Sequence, residues 1–191
     1  MFQVRIHGRG GQGAVSGAEM LSVAAFLEDK HAQAFPSFGS ERMGAPVVAF
    51  CRIDNKEIRS REPVLEPDAL LVQDPSLFNS VDVFAGLKAD GYLIINTTKT
   101  LEQLGIEEAA SKLAPGRVWT VPATELAIQH VGRPSPNAGM IAALARACEG
   151  VLELDSVAAA IRKKFPGKVG EANVIAAQAA FDSAKVTQST K

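Results

Sequence analysis

Two continuous apolar segments, residues 69–73 and 92–96, constrain the fold of this chain more than any other feature. Neither segment alternates apolar with polar residues, which indicates strands that are covered on both faces, as in a parallel sheet. Residues 76–88 between them are predicted to form a helix, because parallel strands need a crossover connection. The pattern predicts an α/β fold with a mostly parallel sheet flanked by helices.

The rest of the chain continues this alternation of strands and helices. Residues 2–7 are predicted to form the first strand, and residues 13–28 the first helix. The other predicted elements are a short apolar piece at residues 31–35, strands at 47–53 and 117–121, and helices at 106–113, 125–131, 138–147, 157–164 and 171–185. Residues 57–61 are interpreted as the returning strand of a hairpin, which makes the sheet mixed. We expect a single domain over residues 1–191, with a frayed tail at 186–191.

Charge and cysteine content exclude several classes of protein. Lys and Arg number 20 against 21 Asp and Glu, and this balance argues against binding driven by the charge of nucleic acids or membranes. The N-terminus lacks a signal-peptide pattern, and no segment approaches the roughly 18 apolar residues of a membrane span. Cys51 and Cys148 are too few for a four-thiolate cluster or a disulfide framework. We expect a cytoplasmic protein without a metal site of its own.

Residues 8–13 read Gly-Arg-Gly-Gly-Gln-Gly, directly between the first strand and the first helix. Glycines at such a turn let the backbone approach a phosphate, and the helix N-terminus favours its negative charge. The candidate phosphate contacts are Gly8, Arg9, Gly10, Gly11, Gln12 and Gly13. The alternative is a glycine turn that only lets strand and helix pack together. No acidic residue follows the next apolar piece, where a dinucleotide fold holds the ribose, and this disfavours NAD.

A second motif, residues 35–46, combines aromatic residues, glycines, prolines and an arginine in one loop. Binding residues concentrate on loops, and this composition predicts contact with a ligand or another subunit. The candidate contacts are Phe38, Ser40, Arg42 and Met43. The alternative is a loop folded onto its own domain, with Arg42 paired to Glu41 or Glu62. Further along, Asn137 is predicted to cap a helix that starts at residue 138.

Several ordered segments of the sequence are similar to one family. Residues 8–13, 33–36, 39–46, 68–74, 96–97 and 132–144 resemble the gamma subunit of the 2-oxoacid:ferredoxin (acceptor) oxidoreductases, such as pyruvate synthase. The resemblance implies a complex that converts a 2-oxoacid and coenzyme A into acyl-CoA and CO2 with release of two electrons. It also implies alpha, beta and ferredoxin-like delta subunits as partners, which carry thiamine diphosphate, Mg²⁺ and [4Fe-4S] clusters.

Within such a complex, the resemblance assigns this chain a non-catalytic role in which residues 8–13 contact coenzyme A. The sequence agrees with this non-catalytic role, because it lacks the Gly-Asp-Gly pattern of thiamine-diphosphate sites. Its histidines, among them His7 beside the glycine motif, show no metal-ligand spacing. The 2-oxoacid stays open between pyruvate, branched-chain, aromatic and 2-oxoglutarate substrates, and the acceptor between ferredoxin and NAD. The alternative function is a free-standing nucleotide-binding protein.

Overall fold

A mixed sheet of seven strands organises the computed structural model, which describes residues 1–37 and 42–187. The strands are β1 (Phe2–Arg9), β2 (His31–Pro36), β3 (Pro46–Asp54), β4 (Ala69–Val72), β5 (Tyr92–Asn96), β6 (Val118–Val121) and β7 (Lys185–Val186). Their order across the sheet is β2-β3-β1-β4-β5-β6-β7. The central strands β1, β4, β5 and β6 are parallel, whereas β3 is antiparallel to both of its neighbours and β7 to β6. The predicted α/β fold with a mixed sheet is confirmed.

Seven α-helices accompany the sheet in this part of the chain. They are α1 (Ala14–Leu27), α2 (Leu101–Leu104), α3 (Glu107–Ala110), α4 (Ala123–Val131), α5 (Asn137–Ala147), α6 (Leu154–Lys164) and α7 (Gly167–Ser183). A short 3-10 helix lies at Pro75–Asn79. None of the described helices combines the length and the apolar character that crossing a membrane requires.

The buried strands β4 and β5 separate two apolar layers. Leu71 and Ile94 point to the layer formed with α1 and α5. Leu70 and Leu93 point to the opposite layer, which includes Leu101 of α2. Because alternate side chains of a strand leave on opposite faces, a strand with a core on each side needs apolar residues throughout. This arrangement explains the two apolar segments of the sequence.

The helix predicted at residues 76–88 is wrong beyond its first turn, since turns follow the 3-10 helix. The buried guanidinium of Arg5 on β1 donates hydrogen bonds to the carbonyl oxygens of Val83 and Ala85. A helix uses its own carbonyl oxygens as acceptors, so these contacts favour irregular backbone. Phe78 and Phe84 stack here with ring centroids 5.5 Å apart.

The returning hairpin strand predicted at residues 57–61 is also absent, and this described segment forms no strand. Both edges of β3 are already occupied, by β1 and β2. Nearby, Arg52 donates to the carbonyl oxygen of Glu62, and Arg5 donates to that of Leu65 at 3.2 Å. These two buried arginines therefore hold residues 62–65 in an irregular conformation.

The C-terminal region and the helix boundaries differ modestly from the prediction. Residues 186 and 187, predicted to belong to a frayed tail, are instead bound to the sheet, because Val186 pairs with Trp119 of β6 and the N–H of Thr187 donates to the carbonyl oxygen of Val118. Residues 188–191 lie outside the described residues. The helix predicted at 106–113 is shorter in the structure, where it is α3, and α2 directly before it was not predicted.

Candidate functional site

The glycine motif lies at the carboxyl ends of the adjacent parallel strands β1 and β4. From β1 the chain passes through α1 to β2 on one side of the sheet, whereas from β4 it continues to β5 on the other side. The direction of the chain therefore reverses between these two strands. Ligands of open α/β sheets bind in the crevice at such a switch point.

Backbone geometry at the start of α1 leaves several N–H groups without a protein acceptor among the described residues. Gly11 and Gly13 adopt left-handed φ angles of 96° and 76°, which favour glycine. The carbonyl oxygen of Gly13 accepts from the N–H of Gly17 at 2.8 Å and so begins the helix. Within residues 1–37 and 42–187, the N–H groups of Gly11, Gly13 and Ala14 donate to no protein acceptor. The N-terminus of this 14-residue helix thus offers both donors and a positive dipole end to an anion.

Residues 42–45 pair with the glycine motif through the backbone. The N–H of Gly10 donates to Ala45 at 2.9 Å, and the N–H of Gly44 donates to Gly10 at 3.0 Å. A Cβ atom on Gly10 would collide with the carbonyl group of Arg42, so the close approach requires glycine. The structure therefore brings the two predicted motifs together.

Two of the four loop residues predicted as contacts can be placed. The side chain of Met43 lies beside Gly11, and Met43 is 86% exposed. Arg42 is exposed and forms no ion pair with Glu62, so this part of the alternative interpretation is not observed. Phe38 and Ser40 lie outside the described residues.

The guanidinium of Arg9 is held on the β4 side of the motif. Its Nε and Nη2 atoms donate to Ser76 Oγ at 3.1 and 2.8 Å, and Nη1 donates to the carbonyl oxygen of Gly44 at 3.1 Å. Asp74 Oδ2 lies 3.3 Å from Nε. A guanidinium carries five N–H bonds, and these contacts occupy three of them. The remaining two have no acceptor among the described residues.

Gln12 and Asp74 complete this network. The side chain of Gln12 accepts from the N–H of Arg9 at 2.7 Å and donates to Asp74 Oδ2 at 2.9 Å. Asp74 Oδ1 accepts from both the N–H and the hydroxyl of Ser76. Burial acts to raise the pKa of Asp74, but hydrogen bonds from Ser76 and Gln12 and the charge of Arg9 lower that pKa below its ordinary value. Asp74 therefore stays ionised at neutral pH.

Asp74 and Ser76 were not among the predicted site residues, although the sequence carries a signal for them. They follow the apolar run of β4, and polar residues directly after a buried parallel strand lie at the ligand-binding edge of the sheet. Their contact with Arg9 depends on β4 lying next to β1, which local sequence patterns do not reveal.

The prediction that Asn137 caps α5 is wrong. Asn137 is instead the first residue of this helix, and Pro136 stands at the N-cap position. Its Oδ1 atom accepts from Ser135 Oγ at 3.1 Å and from the N–H of Ala138 at 2.9 Å. Its Nδ2 atom occupies the space that a Cβ of Gly13 would need. The start of α5 thus packs against the start of α1.

His7 lies buried directly before the glycine motif. Burial, aided by the charge of Arg5, lowers its pKa from 6.5 to about 4, so the imidazole is neutral at pH 7. Its Nε2 atom has no hydrogen-bond partner in the described structure.

The described residues contain no group of three or more His, Cys, Asp or Glu side chains arranged to hold a metal ion. Cys51 and Cys148 are both buried and unbridged. Burial raises the pKa of each thiol to about 12, which keeps both protonated at neutral pH. Neither thiol has the character of a nucleophile or metal ligand.

Comparison with known proteins identifies the family. Residues 3–183 match the family model described as pyruvate ferredoxin/flavodoxin oxidoreductase. The chain is 47% identical over 186 residues to the pyruvate/ketoisovalerate oxidoreductases common subunit gamma of Pyrococcus furiosus, covering 97% of this chain and 98% of the relative. It is 44% identical over 185 residues to pyruvate synthase subunit PorC of Methanothermobacter marburgensis, with coverage of 97% and 98%.

A solved structure supports the same assignment. The crystal structure of pyruvate oxidoreductase subunit PORC from Thermotoga maritima is similar with a TM-score of 0.81 and 37% sequence identity, and the match covers 98% of both chains. The chain therefore belongs to the pyruvate ferredoxin/flavodoxin oxidoreductase family.

Proposed function

We propose that this chain, as one domain over residues 1–191, is the gamma subunit of a cytoplasmic 2-oxoacid:acceptor oxidoreductase. Its relatives in Pyrococcus furiosus and Methanothermobacter marburgensis are named as subunits of pyruvate or ketoisovalerate oxidoreductases. The complex would convert a 2-oxoacid and coenzyme A into acyl-CoA and CO2. Alpha, beta and ferredoxin-like delta subunits complete it and pass two electrons to an acceptor.

In this proposal the catalytic cofactors belong to the partner subunits. Thiamine diphosphate, Mg²⁺ and [4Fe-4S] clusters supply decarboxylation and electron transfer there. The relative from Pyrococcus furiosus is named as a subunit common to pyruvate and ketoisovalerate enzymes. A subunit shared by enzymes with different substrates does not select the 2-oxoacid, which supports a non-catalytic role.

The glycine motif is proposed to bind a phosphate of coenzyme A, and one observation carries this proposal. The N–H groups of Gly11, Gly13 and Ala14 have no protein acceptor in the described structure and lie at a switch point. Several N–H donors and a helix dipole favour a phosphate at the same place. Arg9 adds a positive charge and two remaining N–H bonds at the edge of this site.

Kinetics of the assembled enzyme test this phosphate contact. Arg9→Ala is expected to raise the KM for coenzyme A about tenfold, equivalent to ~1.4 kcal/mol, and to leave the KM for the 2-oxoacid unchanged. Gly11→Val should act in the same direction, because its side chain fills the approach to the free N–H groups. Gly13 is a poorer choice, since Asn137 occupies its Cβ position.

Arg59→Ala is the matched control, because Arg59 is an exposed arginine whose charged partner, Glu57, is also exposed. Its KM for coenzyme A should equal that of the wild type. If Arg9→Ala and Gly11→Val both assemble and keep the wild-type KM, the motif is a structural turn and coenzyme A binds elsewhere.

Residues 42–46 are proposed to contact a partner subunit, together with the neighbouring Phe38 and Ser40. Met43 supports this proposal, because a large apolar side chain at 86% exposure gains by being covered. Arg42 beside it is also exposed and offers a charge to such a partner.

Native mass spectrometry of the protein purified from its source distinguishes this function from the alternative. A gamma subunit is expected in a complex with thiamine- and cluster-bearing chains, and alone it should be colourless and inactive. A free-standing nucleotide-binding protein would instead appear as a single chain that binds nucleotides without partners.

A further inference from the structure

A groove of about 470 Å³ lies on the surface between the end of α4 and the start of α7. We call it the α4–α7 groove. None of its described lining residues belongs to the glycine motif or to residues 42–46, so it is separate from both proposed contacts above. Its apolar and charged lining residues are Val131, Arg133, Phe165, Lys168, Val169 and Ala172.

Four apolar side chains line the α4–α7 groove. Val131 ends α4 and Phe165 lies just before α7, and both side chains are half-buried. Val169 and Ala172 are three residues apart on α7, so they lie on the same face of that helix. Val169 is 55% exposed. Exposed apolar side chains that are grouped, rather than scattered singly, are typical of a surface that binds another molecule.

Two cations line the same groove without a negative partner. Arg133 and Lys168 are exposed, and neither forms an ion pair within the described part of the chain. No Asp or Glu occurs among the described residues that line the groove. Glu171 follows Lys168 by three residues, but its two carboxylate oxygens bind the guanidinium of Arg162 at 2.7 and 3.1 Å. The groove is therefore locally positive, although the formal net charge of the chain is -1.

The segment that carries Arg133 has a restricted backbone. Pro134 and Pro136 fix the backbone on either side of Ser135. The N–H of Ser135 donates to the carbonyl oxygen of Arg133 at 2.9 Å. Ser135 Oγ donates to Asn137 Oδ1 at 3.1 Å, which joins the segment to α5. A partner that binds Arg133 therefore orders less of the chain than it would in a flexible loop.

We propose that the α4–α7 groove binds an acidic segment of one partner subunit. This inference rests on the proposed function, in which the chain is part of a complex. An apolar side chain of that segment covers Val169, and Asp or Glu carboxylates pair with Arg133 and Lys168. Complementary charge supports this occupant, because a basic segment is repelled and a neutral one leaves both cations unpaired.

A second copy of the chain fits the groove less well. In a two-fold dimer the same surface occurs on both copies, so the cations Arg133 and Lys168 meet like charges across the axis. A groove of this size is also only part of an interface, since stable interfaces bury about 1,200–2,000 Å². It is therefore expected to add to the contact at Met43 and not to replace it.

Chemical labelling of the wild-type protein tests the inference without a variant. An acetylating reagent is expected to modify Lys168 in the isolated chain, and this reactivity should be lost in the assembled complex. Lys56 is the control, because it is also exposed and forms no ion pair among the described residues, and it should react equally in both states. Full reactivity of Lys168 in the complex would overturn the inference.

A zero-length carbodiimide cross-linker identifies the occupant, because it joins a lysine amine to a carboxylate in contact with it. Lys168 is expected to be joined to an Asp or Glu of one partner subunit, and mass spectrometry of the joined peptides names the segment. A cross-link to a second copy of this chain, or none at Lys168, would overturn the proposed occupant.

Charge reversal tests the role of the two cations. The double variant Arg133→Glu/Lys168→Glu should keep the wild-type Tm but weaken assembly about tenfold or more, because two attractive charge pairs become repulsive. The matched control is Lys56→Glu/Arg61→Glu, which makes the same change in net charge at two exposed cations and should assemble like the wild type. Equal weakening in both variants would show a general effect of net charge and would overturn the groove.

The apolar part of the groove is tested by Val169→Ser. Assembly should weaken about fivefold, because a half-exposed valine is no longer available to be covered. Ile175→Ser is the matched control, because Ile175 is also 55% exposed on α7 but is not among the residues that line the groove. Equal assembly constants for the two variants would show that Val169 stays uncovered in the complex.

Failure of this inference is separable from failure of the proposed function. If the chain purifies with thiamine- and cluster-bearing subunits, but Arg133→Glu/Lys168→Glu assembles normally and Lys168 stays reactive, only the groove is rejected. If the chain purifies from its source without any partner, the proposed function and the groove are rejected together.

Discussion

The two sides of the glycine motif are held by different kinds of contact. Toward residues 43–45, backbone mainly pairs with backbone, because the N–H of Gly10 donates to Ala45 and the carbonyl oxygen of Gly10 accepts from the N–H of Gly44. Toward residues 74–76, side chains bind side chains, as Arg9 and Gln12 engage Asp74 and Ser76. The first side depends on the absence of a side chain at Gly10. The second depends on which side chains are present.

This difference separates the contacts that position the loop from those that set its charge and hydrogen-bonding capacity. Backbone pairing fixes where the loop lies and tolerates most side chains, provided that Gly10 is kept. The side-chain network sets the local charge and leaves Arg9 with unused donors. Substitutions on the first side should therefore affect mainly stability, and those on the second should also affect ligand binding.

The largest expected effect is on the backbone side. Gly10→Ala places a Cβ against the carbonyl group of Arg42, so residues 42–45 must shift. We expect a loss of about 3 kcal/mol in the free energy of unfolding, measured by urea denaturation. Gly116→Ala is the control, because Gly116 has a positive φ of 79° but no atom within 4 Å of its Cβ position, and it should lose only about 1 kcal/mol. Equal losses would contradict the close-contact explanation.

The second effect is a pH dependence of stability caused by His7, which lies on β1 directly before the glycine motif. Its folded pKa of about 4 lies below the unfolded value of 6.5, so only the unfolded chain gains a proton between these values. Falling pH therefore destabilises the wild type through His7, by about 2 kcal/mol between pH 7 and pH 5. Urea denaturation of His7→Leu at both pH values should show a correspondingly smaller loss. A wild type and variant with parallel pH dependence would show that His7 ionises normally in the fold.

A smaller effect is expected on the side-chain side. Asp74→Ala removes the cap of the 3-10 helix and the partner of Gln12, and should cost about 1 kcal/mol in thermal or urea unfolding. Because the pKa of Asp74 is lowered in the folded state, this stabilisation is present at neutral pH and is lost as pH falls through that pKa. The exposed Asp90→Ala should change stability by less than about 0.5 kcal/mol. A similar loss in both variants would contradict a structural role for the network.

The smallest effect on the isolated chain is expected at Met43. Met43→Ser should change its stability by less than about 0.5 kcal/mol, because the side chain is 86% exposed. Its assembly with partner subunits should weaken about tenfold if the side chain is covered there. Ile175→Ser, on the exposed surface of α7, controls for general loss of apolar surface. Assembly constants measured by native mass spectrometry should separate the two variants, and equal constants would remove Met43 from the interface.

Several predictions from the sequence succeeded because their causes are local. The segments that form β4 and β5 are apolar because both of their faces are buried, and this requirement is visible residue by residue. The turn at Gly11 and Gly13 follows from the conformational freedom of glycine. The failures involve distant partners. Residues 76–88 resemble a helix, yet a buried arginine of β1 takes two of their carbonyl oxygens.

The sequence by itself determined the strands β1, β3, β4, β5 and β6, the glycine turn, the α/β class and the family. Hydrophobic periodicity and backbone sterics act over a few residues, so they can be seen before any contact is known. Only the tertiary structure decided that Arg9 contacts Asp74 and Ser76 and that Asn137 packs against Gly13. It also decided that the Gln73 side chain is buried without a hydrogen-bond partner among the described residues. These contacts follow from the order of strands in the sheet and from helices that start at the same edge. Strand order is a property of the whole chain, and local sequence patterns do not specify it.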